Sequence, residues 1–322
     1  MKKIRLIIPY FGKLPKFFPY FLLTAKRNKK IDFLIYTDQN VDQLEILNAE
    51  NIEFKTLSFD DLRKKVQSKF DFEISLKTPY KLCDYKVAYG FIFEEELKGY
   101  DYWGFCDTDV LLGDIYQFLE EHSFFENDYA RYGLLGHLQI FKNSQEVNHV
   151  FMSGQGLNYR LDYHNVFTSE QNFIFDEAEG IQKLFEKSDF DQLQDKFFDD
   201  IDISHFSFRE YGEVEPKRYY FWSEKNGLES IEIKDKKLVV EHPLYVHFQK
   251  RTIECPEFEV VDSFYVIPNR LVVGDKISIQ EVEEVTKNRF YWEYVKSTFL
   301  KKFKREKWTL DFIRHKFRMK RG

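Results

Sequence analysis

An apolar run, Tyr102-Trp103-Gly104-Phe105-Cys106, leads straight into Asp107-Thr108-Asp109, and a second apolar run, Val110-Leu111-Leu112, follows at once. Few folds accommodate that order. Alternate residues of an extended strand share a face, so Asp107 and Asp109 point the same way. Two like charges between apolar segments repel each other and lose hydration, and such groups stay buried only where something compensates them. A divalent cation is the simplest compensation, and oxygen ligands suit magnesium or manganese. A solvated surface turn is the plain alternative for any bare D-x-D.

The preceding hundred residues alternate strand and helix signals. Ile4–Pro9 is a short continuous apolar run, as in a buried parallel strand. A helix is expected over Lys13–Lys29 despite Pro15 and Pro19, then a strand over Ile31–Thr37, ending at Asp38. A short helix over Asp42–Asn48, a strand over Ile52–Leu57 and a helix over Asp60–Lys69, capped by Ser58, follow. Thr78-Pro79 introduces a long helix over Tyr80–Leu97, and Tyr102–Cys106 is the fourth strand. Asp114 caps a helix over Ile115–Glu121. This β-α-β-α order predicts a doubly wound α/β sheet that binds ligand beyond the carboxyl ends of its strands. Tyr10-Phe11-Gly12, Asp38 and the Asp107/Asp109 pair all reach that edge. No G-x-G-x-x-G follows the first strand, so a dinucleotide fingerprint is absent.

Further along, Leu138–Phe141 reads as a strand and Phe173–Phe185 as a helical pattern opening on F-D-E. Asp189–Asp202 reads as a helix and a mobile loop, and Lys217–Val273 as β-rich, with strands at Leu238–Val240, Tyr245–Phe248 and Phe264–Ile267. At 43% hydrophobic and 18% aromatic, the 322 residues can build a substantial core, which excludes a disordered chain. One domain over residues 1–286 with an appendage over 287–322 fits best. From Lys296 onward eleven Lys/Arg face only Glu306 and Asp311, a surplus of nine, so the rest of the chain carries −15 within a total of −6. In that tail Trp292, Val295, Phe299 and Phe303 recur at helical spacing among Lys301, Lys302, Lys304, Arg305 and Lys307. A basic amphipathic helix can lie on an anionic membrane surface, or pack on the body by its aromatic face. Nucleic acid is a poor partner for so acidic a body. Cys83, Cys106 and Cys255 have neither disulfide nor zinc spacing, which suggests reduced thiols. The basic N-terminus has too short an apolar run for a signal peptide, and no stretch approaches the ~20 apolar residues of a membrane span. A cytoplasmic protein, peripheral at the inner face of the plasma membrane, is expected.

Four segments carry a resemblance: IIPYFGKLP, TPYKLCDYKVAYG, YDYWGFCDTDVLLGDI and GHLQIFKN. They resemble a family of bacterial polysaccharide-cluster glycosyltransferases with a GT-A-like doubly wound mixed sheet, and the later FDE and YVHFQKR resemble the same pattern. The resemblance implies that Asp107 and Asp109 hold Mn2+ or Mg2+ against the diphosphate of a nucleotide sugar. It implies His247 as third ligand and Lys250 or Arg251 near the phosphates. Read alone, His247 between Val246 and Phe248 could equally be a hydrogen-bonded core histidine. Tyr10, Phe11, Gly12, Asp38 and Thr108 would bind the donor. Lys81 and Asp84 are three apart and could form a plain ion pair; alternatively Asp84 binds sugar hydroxyls and Lys86 a phosphate. Gly136 and His137 would line the sugar pocket. Asp176 or Glu177, with Glu177 favoured, would be the base of an inverting transfer; helix-start acids are the structural alternative. The implied donor is a UDP-hexose of galactose type, and the acceptor a polyprenyl-diphosphate-linked glycan. Two other readings stay open. One is an aspartyl-phosphate phosphatase using Asp107, with Asp199-Asp200 as metal ligands. The other is a non-catalytic glycan-binding protein at the membrane.

Overall fold

The computed structural model describes residues 1–286 apart from 48, 204, 211, 212, 214, 215 and 250. Lys250 and the basic tail of residues 287–322 therefore lie outside the described residues. The strands are β1 Ile4–Tyr10, β2 Ile31–Thr37, β3 Ile52–Thr56, β4 Tyr102–Cys106, β5 Val110–Leu112, β6 Arg131–Tyr132, β7 Leu138–Lys142 and β8 Gln192–Leu193. They continue as β9 Asp199–Asp200, β10 Arg218–Ser223, β11 Gly227–Lys234, β12 Lys237–Glu241, β13 Tyr245–His247, β14 Ser263–Ile267 and β15 Arg270–Val273.

The main sheet has the order β3-β2-β1-β4-β7-β6-β8. Its first four strands are parallel, and β7 runs antiparallel to both β4 and β6. This is the doubly wound mixed sheet the sequence predicts. Period-two alternation sorts its two faces. Ile4, Leu6, Ile8, Phe33 and Ile35 pack on helix α1, Phe18–Arg27, while Ile7, Leu34 and Tyr36 pack on helix α2, Phe59–Gln67, and the segment after it. A five-stranded antiparallel sheet, β12-β11-β10-β14-β15, covers the outside of α1, with Tyr20 edge-on to Phe264 at 5.2 Å.

Three expectations change. The helix expected from Lys13 begins only at Phe18, because Pro19 lacks an N–H and is tolerated only in a first turn. The long helix expected over Tyr80–Leu97 is a chain of short α and 3-10 turns. The buried side chains of Lys81, Asp84 and Lys86 reach partners on other segments and hold it out of regular register. The region Asp189–Asp202 forms β8 and β9 rather than a helix and loop, since each two-residue strand completes a ladder begun far away in sequence. Elsewhere the local signals hold: Ser58 caps α2 through Asp61 N, and Asp114 caps Ile115–Glu121 through Gln117 N. The three cysteines form no disulfide. Among the described residues, no helix is long and apolar enough to cross a membrane.

Candidate functional site

Backbone pairing brings five side chains together. The ladder between β4 and β7 runs one step past β4, where Asp107 N donates to His137 O at 2.8 Å. The chain then crosses Thr108-Asp109 into β5, which pairs antiparallel with β13, so that His247 lies opposite Val110. Phe248 N donates to Asp109 O at 3.1 Å and extends that ladder. β9 joins the other edge of β13, with Asp200 opposite His247. The outcome is a cluster in which ligand atoms of Asp107, Asp109 and His247 all lie within 4.8 Å of one another. His137, Asp200 and His247 form an overlapping group under the same limit.

His247 is oriented from behind. Its Nδ1 lies 2.9 Å from Asp200 Oδ1, and its Nε2 lies 3.5 Å from Asp109 Oδ1. Asp200 as a carboxylate can only accept, so Nδ1 carries the proton and Nε2 is directed at the acidic pair. Gln249 Nε2 donates to the same Asp200 oxygen at 3.0 Å. The ring of His137 lies against that of His247, centroids 3.6 Å apart. Burial disfavours a charged imidazole, yet Asp109 and Asp200 outweigh it and raise His247 to about 9. For His137 burial wins, and with the neighbouring His247 it pushes the ring down to about 4.

Lys86 ties this cluster to a second one. Its Nζ lies 2.6 Å from Asp107 Oδ1, 3.0 Å from Asp176 Oδ2 and 2.9 Å from Gly136 O. Three donors meet three acceptors, so the ammonium is fully used. Burial opposes ionisation of Asp107, but Lys86 and the two histidines outweigh it and hold the carboxyl below its usual range. Asp176 is more deeply buried, and burial raises it to about 7 despite Lys86. Its Oδ1 has no hydrogen-bond partner among the described residues. Glu177 is half-buried and also raised by burial. Gly136 leaves room for this pair, since a Cβ there would stand 2.5 Å from Asp176 Oδ2.

The other expected site residues divide. Tyr10 ends β1 half-buried, and burial followed by Asp109 raises its hydroxyl, which places it beside the acidic pair. Gly12 N donates to Asp38 Oδ1 at 2.9 Å, joining the ends of β1 and β2. Thr108 and Asp109 line a cavity of about 750 Å³ with Lys13, Lys16 and Phe17. Phe11 instead packs edge-on to Phe59 at 5.4 Å as part of the core, so no face of it is presented for a base to stack on. Lys81 and Asp84 are buried away from the cluster as an ion pair of 2.6 Å, and Asp84 accepts the backbone N–H groups of Phe173 and Phe175. The plain ion-pair alternative describes them, not sugar binding. Lys86 likewise binds acids rather than offering a free ammonium to phosphate. Gly136 lies against Asp176 and Glu177, and His137 lies against His247. Arg251 spends its guanidinium on the carbonyls of Asp202 and Phe206. The sequence singles out Asp200 only as a metal ligand of the phosphatase alternative, and it misses Gln249. Asp199 takes no part in the cluster, because its carboxylate accepts from Tyr220 Oη at 2.7 Å.

The donor set fits a hard divalent cation. Among the described residues, Asp107, Asp109 and Asp200 are offset by Lys86 and a charged His247, and Asp176 and Glu177, both raised by burial, add two further acidic groups. Two aspartate oxygens and a directed imidazole nitrogen are ligands that manganese or magnesium accepts. The carboxylate behind the histidine is the usual second support of a metal-bound imidazole.

A profile of a family of unknown function, DUF6625, matches residues 6–275, and the chain belongs to that family. No curated protein matches it. Among solved structures, the apo form of the glycosyltransferase GlyE in Streptococcus pneumoniae TIGR4 is similar at 10% identity with a TM-score of 0.35. That match covers 62% of this chain and 46% of the other, so this chain spans less than half the length of that relative. The apo form of mouse xyloside xylosyltransferase 1 is similar at 10% identity and TM-score 0.35, covering 63% of this chain and 88% of the other.

Proposed function

We propose that this DUF6625 member is a metal-dependent glycosyltransferase moving a sugar from a nucleotide-sugar donor to a glycan hydroxyl. The observation that carries the reading is the meeting of Asp107, Asp109 and His247 at the rim of the sheet, with Asp200 fixing the imidazole. These three residues would hold Mn2+ or Mg2+, which when bound neutralises charge on a leaving diphosphate. The chain's own residues do the rest. The cavity beside Thr108 and Asp109 receives the nucleotide diphosphate, with Lys13 and Lys16 at its wall. Lys86 keeps Asp107 and Asp176 from repelling each other. Glu177, more accessible than Asp176, takes the proton of the acceptor hydroxyl. That oxygen attacks the anomeric carbon, the bond to the diphosphate breaks, and its electron pair leaves with the diphosphate. One base on the side opposite the leaving group inverts the configuration.

The finer reading follows the sequence resemblance. The donor is a UDP-hexose of galactose type and the acceptor a polyprenyl-diphosphate-linked oligosaccharide of a surface polysaccharide. The protein works at the inner face of the plasma membrane, with residues 287–322 against anionic lipid. The test is a thermal-shift screen of nucleoside diphosphates with and without manganese. A rise in Tm that needs both nucleotide and metal, and that Asp109→Asn abolishes, supports the reading. No shift with any nucleotide in the presence of manganese would refute it.

A further inference from the structure

Next to Asp176 the backbone is strained. Ile174 has φ +55°, a left-handed conformation that a β-branched residue keeps only under constraint. The constraint is a clamp. Buried Asp84 accepts from Phe173 N at 3.0 Å and from Phe175 N at 3.0 Å, and Lys81 anchors it while donating to Val166 O at 2.9 Å. With the residues on either side turned to one carboxylate, the residue between them faces out, and Ile174 is 48% exposed. Its carbonyl accepts from Glu177 N at 3.2 Å, so the strained turn and the candidate base move as one piece. Tyrosines flank the turn. Tyr159, 56% exposed, packs edge-on to Phe173 at 5.3 Å, and Tyr80, 53% exposed, precedes Lys81 in the clamp.

We propose that this ledge is the acceptor subsite, where a neutral pyranoside rests its apolar C–H face on Tyr159 and Ile174. The inference rests on the reading of Glu177 as base. Strain that burial does not require, maintained by a dedicated buried ion pair, marks a surface kept for contact. A tyrosine offers an apolar face and a polar tip, which matches a ligand with C–H faces and hydroxyls. Charges of both signs surround the ledge and offset one another: Lys77 is paired with Glu170, Lys183 with Glu179, and Arg160, next to Tyr159, lies within Coulombic reach of Glu179, which suits a neutral occupant.

The experiment uses the full chain and saturation-transfer NMR with 4-nitrophenyl glycosides of galactose, glucose and N-acetylglucosamine, with nucleotide-plus-manganese thermal shift alongside. Wild type should bind at least one glycoside. Tyr159→Ala should weaken that binding about threefold to tenfold, as loss of one stacking contact does, and leave the nucleotide shift intact. Ile174→Gly should weaken it too while raising Tm, because glycine relieves the positive φ. The ledge is overturned if wild type responds to nucleotide but binds none of the glycosides, or if both variants bind them as wild type does. A wild type with no nucleotide response overturns the parent reading instead.

Discussion

Replacing Lys86 by methionine removes a buried ammonium and keeps most of the stem. In the folded protein that ammonium is 2.6 Å from Asp107 and 3.0 Å from Asp176. The Lys86 and Asp176 side chains are 14% and 4% exposed, so Asp176 is left as an uncompensated buried acid. Breaking such a pair destabilises by about 3–5 kcal/mol. Asp107 keeps part of its hydration, at 31% side-chain exposure, which places the expected loss near the lower end, about 3 kcal/mol. For a chain of 322 residues, with about 2.1 cal/mol/K of unfolding entropy per residue, that is a fall in Tm of roughly 4–5 °C. The pH dependence is the sharper part. Asp176 has its folded value raised from 3.8 to about 7. An acid raised in this way favours folding below its unfolded value, and that contribution fades as pH rises through the folded one. Without Lys86 the rise is larger, so a protonated Asp176 spares the variant at low pH and an ionised one burdens it at high pH. Urea unfolding of both proteins at about pH 5 and about pH 8 reads this out. An unchanged midpoint at the higher pH, or a deficit greater at the lower pH, would refute the argument.

Asp200→Asn exchanges the carboxylate behind His247 for an amide and should weaken manganese binding about 10–100-fold, read by titration calorimetry on the purified chain. Equal affinity would remove Asp200 from the site. Gly136→Ala places a Cβ 2.5 Å from Asp176 Oδ2 and 2.8 Å from its Cγ, in a spot where Lys86 allows no retreat. Overpacking there should destabilise by about 1–3 kcal/mol, and an unaltered urea midpoint would show the loop to be looser than described. Deleting residues 288–322 should abolish sedimentation with anionic vesicles while leaving the nucleotide-plus-manganese shift in place. Equal sedimentation of the two proteins would discard the membrane role of the tail.

Most of the main sheet was legible because its strands are continuous apolar runs whose signal is local. β2 and β4 fall at the boundaries the sequence suggests, and Ser58 and Asp114 cap as their positions predict. Legibility failed where long-range pairing decides the outcome. β9 is two residues, Asp199-Asp200, and is a strand only because β13 lies beside it. No periodicity exists in so short a piece, so Asp200 could be named as a candidate metal ligand but its place behind His247 could not be read, while the pairing of Asp107 with Asp109 was plain. Lys81 and Asp84 show the converse limit. Their spacing permits an ion pair, but only the fold reveals that the pair holds residues 173–175.

The two limits have one physical origin. The acidic pair sits in a loop too short to choose its own geometry, between β4 in the main sheet and β5 in the small one. Its two carboxylates are therefore positioned by different sheets: Asp107 by the ladder to β7, Asp109 by the ladder to β13. A site divided in this way depends on how the sheets are joined. Among the described residues, Lys86 reaches Asp107 from the segment packed under the main sheet and His247 reaches Asp109 from the small sheet. Neutralising either should separate the aspartates, whereas substitutions of equal size within one sheet should leave their distance unchanged.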